Sequence, residues 1–234
     1  MAGATYMKQL QPRVAAAIYL FLTLLIGVFI VLLPLNGIEC NIVLDVQNFA
    51  QKTVGIQFFQ IVTYFGDFYL WVAFGSVYLL YAYFKSRKYL GSAMEIATFL
   101  VITTALTYFT KIVFARTRPS CPGLNVYEQD ILSSYSYPSG HVSRAAGGFL
   151  ILSRKSRTKE LLATLIIFLV SLSRIVLGAH YPTDVVGGIF LSLAAQQFAN
   201  IALAFFKRRW PLSQAKEERT AKAMAHRGRA KDFC

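Results

Sequence analysis

The sequence predicts an all-α, polytopic membrane protein with six transmembrane helices. Hydrophobic residues make up 56% of its 234 residues and charged residues only 15%, and the mean hydropathy is +0.49. A soluble domain usually contains about 25% charged residues. Several apolar runs reach about 20 residues, the length that an α-helix needs to cross the hydrocarbon core. We expect residues 1–234 to form a single membrane domain.

The first span is predicted at about 14–35, after a short basic arm with Lys8 and Arg13. Its apolar run is too long for a signal peptide and no small-residue cleavage site follows, so we expect a retained span. Pro34 marks its end. Residues 36–66 mix polar and apolar positions at helical spacing, which favours a helix lying in the membrane interface.

The later apolar runs predict five more spans, at about 68–84, 92–113, 140–152, 161–177 and 185–206. Aromatic residues gather at both ends of the second span, as in an interfacial belt. Glu95 in the third span is interpreted as a helix-end or packing charge. Gly187 and Gly188 in the sixth span favour close helix packing. Residues 207–234 are predicted to form a basic cytoplasmic tail.

Lysine and arginine residues predict the orientation of the chain in the membrane. The N-terminal arm, loops 85–88 and 154–159, and the tail hold 18 of the 24 Lys and Arg residues. The positive-inside rule places these segments, and therefore both termini, in the cytoplasm. The net charge of +13 would suggest nucleic acid in a soluble protein. Here we expect the tail to contact anionic lipid and no nucleic acid to bind.

The other six cations are Lys52, Lys111, Arg116, Arg118, Arg144 and Arg174. Most of them lie at the predicted extracytoplasmic ends of spans three to six. Ionisable groups at the edge of hydrocarbon are costly, so their concentration there indicates a functional site.

The connection between spans five and six contains the first part of this site. Gly178 is placed to end one helix, and Pro182 suits the first turn of the next. His180 then lies on the short connection, and Asp184 follows one helical turn later, within reach of a ring nitrogen. A carboxylate that orients an imidazole is typical of a nucleophile or base held in one tautomer. Arg174 lies on the helix before this connection.

Two more segments are predicted to converge on the same face. Lys111 and Arg118 are seven residues apart and share a helix face if the helix continues that far. Ser139, before Gly140 and His141, is a good N-cap, and a helix N-terminus binds anions through its free N–H groups. Cations and a helix N-terminus around two histidines describe a pocket for phosphate, because Arg binds it bidentately.

These three segments read Lys-x6-Arg-Pro, Pro-Ser-Gly-His and Ser-Arg-x5-His-x3-Asp in chain order. The chain resembles the type 2 phosphatidic acid phosphatase (PAP2) superfamily from Lys111 to Asp184. The resemblance implies a PAP2-type helical core, His180 as the nucleophile, Asp184 as its orienting partner and His141 as the acid for the leaving oxygen. It also implies a set of residues that hold the phosphoryl oxygens, namely Lys111, Arg118, Ser139, Gly140 and Arg174.

The chemistry expected of this site is hydrolysis in two steps through a phosphohistidine, with neither metal nor cofactor. Phosphoryl transfer requires positioning and charge stabilisation, which cations and N–H donors supply. Asp184 is the one acid in the three motifs, so they offer no carboxylate cluster for two metals. The expected substrate is a lipid phosphate or diphosphate at the bilayer. The sequence around His141 resembles the polyisoprenoid-diphosphate phosphatase branch, in which Arg144 would meet a second phosphate.

Other functions remain open at this stage. A lipid phosphotransferase would use the same intermediate, and phosphatidate, phosphatidylglycerophosphate or lipid A are alternative substrates. A transporter or membrane scaffold would leave the motifs unexplained. Vanadate-dependent oxidases resemble this family in their anion site, but they are soluble, so the predicted spans argue against an oxidase.

Single residues also have simpler interpretations. Lys111 alone suits a lysine that extends to the lipid headgroups, and Arg116, outside the motifs, is interpreted as a headgroup contact. Arg144 would alternatively pair with Glu128 or Asp130, and His180 with Asp184 could be a metal pair. Cys40 and Cys121 both fall on the outer side, so a disulfide between them is an open alternative.

Overall fold

The computed structural model describes residues 11–33, 35–127, 134–154 and 156–209, which form eight α-helices. The helices are α1 (Pro12–Leu32), α2 (Asn36–Thr53), α3 (Ile56–Thr63), α4 (Phe68–Phe84), α5 (Leu90–Phe114), α6 (Gly140–Ser153), α7 (Arg157–Val176) and α8 (Pro182–Arg209). Short 3₁₀ turns precede α4 and α5. The described part of the chain has no β-strand, so the all-α prediction is confirmed. The predicted tail lies outside the described residues, apart from the end of α8.

The number of spans is only partly as predicted. Among the described helices, three are long and apolar enough to cross a membrane: Pro12–Leu32, Arg87–Phe114 and Pro182–Phe206. The run from α3 to α4 makes a fourth if this pair, bent by 46°, is one span. Helix α6 has only 14 residues, a length of about 21 Å against a hydrocarbon core of about 30 Å. Helix α7 carries four charges, at Arg157, Lys159, Glu160 and Arg174. Six spans are therefore not confirmed.

Residues 36–66 are helical, as predicted, but α2 packs against the bundle. Its buried residues, Glu39, Val43, Gln47 and Ala50, recur every three or four positions and line one face. This face contacts α7 and α8. Gln47 donates to the carbonyls of Asn125 (2.8 Å) and Val176 (2.7 Å), which fixes α2 to the end of α7.

Helix α6 lies at the centre of the fold and packs against α5, α7 and α8. Its neighbours approach closely because its residues are small. A Cβ added to Gly147 would lie 2.1 Å from the Phe99 ring, and one added to Gly148 would lie 2.2 Å from the Trp71 ring. The predicted close packing at Gly187 and Gly188 is confirmed, since α8 contacts Tyr137 and Ser139 there.

Two links hold the ends of the bundle. At the ends of α5 and α6 remote from the motifs, Arg154 pairs with Glu95 at 2.5 Å, which agrees with a helix-end role for Glu95. At the motif end, Cys40 of α2 forms a disulfide with Cys121 in the loop after α5, with Cα atoms 5.6 Å apart. The disulfide that the sequence left open is thus present in the structure.

Candidate active site

The connection between α7 and α8 forms as the sequence predicts. Helix α7 ends at Val176, and Gly178 adopts the left-handed conformation with φ +70°. A Cβ there would lie 2.9 Å from the Asn125 carbonyl oxygen, so glycine suits both the turn and the close approach. Helix α8 then begins at Pro182. His180 is held on this turn by its backbone N–H, which donates to the Arg174 carbonyl (3.2 Å).

His180 and Asp184 face each other, and both are fully buried. The His180 Nδ1 atom lies 3.4 Å from Asp184 Oδ2. The same carboxylate oxygen accepts from the Tyr181 backbone N–H (2.9 Å). The carboxylate thus lies on the Nδ1 side of the ring, and Nε2 is on the opposite side.

The interpretation of Arg116 as a lipid-headgroup contact is wrong, because its side chain is buried within the protein. Its guanidinium donates to Asp184 Oδ1 (2.7 Å) and to Thr183 Oγ1 (2.7 Å), and it stacks 4.1 Å from the centre of the Tyr181 ring. Burial lowers the pKa of this guanidinium, but the carboxylates of Asp184 and Glu39 outweigh burial and raise the pKa of Arg116 above its usual value.

Glu39 of α2 is the second acid at the site, and it was not predicted from the sequence. Its side chain is buried and pairs with Arg116. Its other oxygen accepts from the Thr183 backbone N–H (2.9 Å) and hydroxyl (2.7 Å), in the first turn of α8. One signal could have revealed it: Glu39 lies on the same helical face as Val43, and a charge on a buried face requires a partner.

The start of α6 brings the second motif to Asp184. Ser139 takes the N-cap position, as predicted, and its backbone N–H donates to the Asp184 carbonyl (3.0 Å). Its hydroxyl is buried and makes no hydrogen bond, neither as a cap nor with another residue. A buried hydroxyl beside the free N–H groups of a helix N-terminus is suited to an anionic oxygen.

His141 is buried on the first turn of α6, against the 3₁₀ turn that ends at Gly66. A Cβ at Gly66 would lie 2.7 Å from the His141 carbonyl oxygen, so only glycine allows this contact. The Gly66 carbonyl accepts from Arg144 Nε (2.9 Å). The Arg144 guanidinium lies next to Gly140, since a Cβ there would be 3.1 Å from its Nη1. Glu128 and Asp130, the alternative partners of Arg144, lie outside the described residues.

Lys111 and Arg118 do not share a helix face, because α5 ends at Phe114 and Ala115 is left-handed with φ +43°. Lys111 is buried, and its ammonium donates to the carbonyls of Tyr135 and Ser136, the latter at 3.5 Å. Its side chain therefore does not extend to the headgroups. Arg118 is half-buried and donates to the Ala179 carbonyl (2.9 Å), next to His180.

Arg174 has the largest of the fully buried side chains, and it donates to Thr63 Oγ1 (2.7 Å). The residues described above place five cations at the site, against the two carboxylates of Glu39 and Asp184. The cations are Lys111, Arg116, Arg118, Arg144 and Arg174. The positive excess of the site suits a ligand with several anionic oxygens. In the described part of the chain, no three His, Cys, Asp or Glu side chains are grouped as metal ligands.

The chain is similar to proteins of one known family. The model of the PAP2 superfamily matches residues 92–209. The chain is 30% identical over 184 residues to an undecaprenyl-diphosphatase of Sulfolobus acidocaldarius, covering 74% of this chain and 85% of that one. It is 34% identical over 118 residues to a decaprenylphosphoryl-5-phosphoribose phosphatase of Mycolicibacterium smegmatis, covering 50% of this chain and 62% of that one.

The fold is also similar to a solved structure. The crystal structure of a transmembrane PAP2 type phosphatidylglycerolphosphate phosphatase from Bacillus subtilis superposes with a TM-score of 0.64 at 23% identity. The match covers 83% of this chain and 98% of that one, so the helical bundle as a whole is similar.

Proposed function

The chain belongs to the PAP2 superfamily, and we propose that it is a membrane enzyme that hydrolyses a polyisoprenoid diphosphate through a phosphohistidine on His180, without a metal. The family identifies the chain as a phosphoric ester hydrolase of membrane lipids. The observation that carries the proposal is the buried His180, oriented by Asp184 and close to fixed cations. The substrate, the mechanism, the roles of the residues and the topology are all parts of this proposal.

In the first step, His180 Nε2 attacks phosphorus. The N–P bond forms as the bond to the leaving oxygen breaks, and His141 donates a proton to that oxygen. The Nδ1–H of His180 donates a hydrogen bond to the Asp184 carboxylate, whose negative charge stabilises the positively charged ring. In the second step His141, now neutral, takes a proton from water. The water oxygen bonds to phosphorus, the N–P bond breaks, and phosphate leaves with His180 restored.

Fixed positive charges take the place of a metal in this mechanism. Arg118 contacts the Ala179 carbonyl next to His180, Arg174 lies in the last turn of α7, and Lys111 contacts the Tyr135 and Ser136 carbonyls before α6. The Ser139 hydroxyl and the Gly140 N–H are at the N-terminus of α6. We propose that these five groups bind the phosphoryl oxygens, where preorganised donors stabilise the charge of the transition state. The Asp184 oxygens already accept from Arg116 and Tyr181 and face His180.

The two relatives are named for substrates in which a prenyl chain is linked to phosphate, and this favours a polyisoprenoid substrate. Arg144 supports a diphosphate. Its guanidinium lies beside Gly140, at the N-terminus where the first phosphate would bind, and can meet a second phosphate there. A second candidate is a phosphotransferase that passes the phosphoryl group to another lipid, because the same intermediate serves both reactions.

We propose six spans with both termini in the cytoplasm and the site on the extracytoplasmic face. In this topology α6 and α7 join α1, the α3–α4 pair, α5 and α8 as spans. The basic residues favour the orientation, because Arg154 and Arg157 lie at the ends of α6 and α7 remote from the motifs.

A panel of lipids tests this proposal on the purified protein in detergent. The panel contains polyprenyl diphosphate, phosphatidate, phosphatidylglycerophosphate and lipid A. We expect phosphate release to be fastest from polyprenyl diphosphate. The rate should be unchanged in excess chelator, because no metal takes part in the reaction.

Each part of the proposal has its own contradicting result in this panel. Loss of activity in chelator would contradict the metal-independent mechanism. A faster rate on another lipid would contradict the proposed substrate and assign that lipid in its place. Radioactive phosphate found on a second lipid, with none released, would favour the phosphotransferase.

A further inference from the structure

Two buried residues outside the three motifs, Glu39 and Arg116, connect α2 to the carboxylate that faces His180. The Arg116 guanidinium lies between the two acids, pairing with Glu39 and Asp184. The Tyr181 ring covers one of its faces at 4.1 Å. Neighbours from two parts of the chain, α2 and the start of α8, therefore fix this guanidinium.

We propose that Glu39 and Arg116 are positioning residues, which hold the Asp184 carboxylate, and through it the His180 ring, in the geometry needed to attack phosphorus. The inference rests on the proposed function and adds to it a role for α2, a helix outside the residues matched by the family model.

The Asp184 carboxylate is held against rotation at both of its oxygens. Its Oδ2 atom faces His180 and accepts from Tyr181, while its Oδ1 atom accepts from Arg116 at 2.7 Å. A carboxylate held at both oxygens keeps one orientation, and a ring that hydrogen-bonds to it keeps one tautomer. Without the guanidinium, Oδ1 would be a buried charge lacking its strongest partner.

Glu39 acts on both the Arg116 guanidinium and the helix that carries Asp184. One of its oxygens pairs with Arg116, so the guanidinium is directed along a line between the two acids. The other accepts from the Thr183 N–H, in the first turn of α8, where backbone donors have no partner within the helix. Asp184 is the next residue, so Glu39 positions both its side chain and its backbone.

A covalent bond also links the segments that carry Glu39 and Arg116. Cys40 follows Glu39 in the chain, and its disulfide partner Cys121 is five residues after Arg116. The segments that supply the two members of the ion pair are therefore joined beside the pair. This link restricts movement of α2 away from Arg116.

The test compares Glu39→Gln and Arg116→Lys with Gln47→Ala. Gln47 is a matched control because it is buried on the same face of α2 and fixes α2 to the rest of the fold, without contacting Asp184. We expect kcat on the best lipid to fall about 100-fold in the first two variants, the effect of small misplacements at a reacting centre, with KM little changed. Gln47→Ala should lower Tm while kcat stays at the wild-type value.

A second comparison separates positioning from general loosening of the fold. If Glu39 acts through Asp184, then Glu39→Gln should lower kcat in the wild-type background and have no further effect in an Asp184→Asn background. An equal loss in both backgrounds, or a kcat loss in Gln47→Ala as large as in Glu39→Gln, would overturn the proposal.

Orthovanadate binding, measured by calorimetry, decides the inference independently of the lipid. Vanadate has the shape of phosphate, and its vanadium accepts an imidazole nitrogen as a fifth ligand, so its affinity reports how well His180 is positioned. We expect roughly tenfold weaker binding in Glu39→Gln and unchanged binding in Gln47→Ala.

Equal vanadate affinity in the wild type and Glu39→Gln would contradict the inference. A wild-type protein that binds vanadate but hydrolyses no lipid of the panel would contradict the proposed function and leave the vanadate comparison to decide the inference. A wild-type protein that does neither would contradict both.

Discussion

Replacing His180 by alanine is expected to lower the rate of phosphate release by about 10⁴-fold or more, the usual cost of losing a catalytic nucleophile. Without the imidazole no N–P bond forms, and the cations and N–H donors can only polarise the phosphoryl group. The His180 ring is buried beside Asp184 and its backbone N–H is held by the Arg174 carbonyl, so no other nucleophile has the same orientation. Stopped-time assays of inorganic phosphate, on the best lipid of the panel, measure this loss.

His226→Ala is the matched control, because it is the same substitution at a histidine outside the three motifs. We expect this variant to keep the wild-type rate. Binding should also survive in His180→Ala, since the phosphate donors remain, so the substrate should still raise its Tm. Full phosphate release by His180→Ala would refute the mechanism and favour a transporter or scaffold whose preparation contains another phosphatase.

The second large effect is expected for His141→Ala, and its size should depend on the leaving group. An acid matters most when the leaving oxygen is a strong base, so loss of His141 should slow the first turnover of an alkyl phosphate by about 10³-fold. For 4-nitrophenyl phosphate, whose leaving group needs no proton, we expect a loss of less than about tenfold. Release of the leaving group in a single turnover is the appropriate measurement, because the second step also uses His141.

Phenyl phosphate provides the control, since it differs from 4-nitrophenyl phosphate mainly in the basicity of its leaving group. The loss of rate in His141→Ala with phenyl phosphate should lie between the losses with the alkyl phosphate and with 4-nitrophenyl phosphate. The same loss for all three compounds would show that His141 does not act as the acid.

The elements that local sequence signals determine were predictable. The turn at Gly178, the start of α8 at Pro182 and the spacing of His180 and Asp184 follow from short-range backbone preferences and helical period. The start of α6 after Ser139 follows in the same way. The three motifs carry their own local structure, so the backbone around the candidate site residues follows from the sequence.

Long-range contacts were not predictable in the same way. The direction of the Arg116 side chain depends on where α5 ends. Left-handed Ala115 ends this helix, whereas the usual residue at such a position is glycine or asparagine. The partner Glu39 is 77 residues away, on a helix that the sequence favoured at the interface. Such a pair forms only through packing of α2 on the bundle.

The spans show a similar limit. Apolar runs give the boundaries of α4 and α5 within two residues, since each helix is a continuous run between charged loops. The predicted span 140–152 matches α6, whose residues are buried by neighbouring helices. Burial within protein and burial in lipid both select apolar residues, so hydropathy cannot separate them.

The most direct test of the account is to identify the phosphorylated residue. His141→Ala should accumulate the intermediate from 4-nitrophenyl phosphate, because the first step needs no acid and the second has lost its base. Phosphohistidine survives alkali, so an alkaline quench followed by peptide mass spectrometry should find the phosphoryl group on His180. A phosphoryl group on any other residue, or none after one equivalent of nitrophenol has been released, would contradict the central claim.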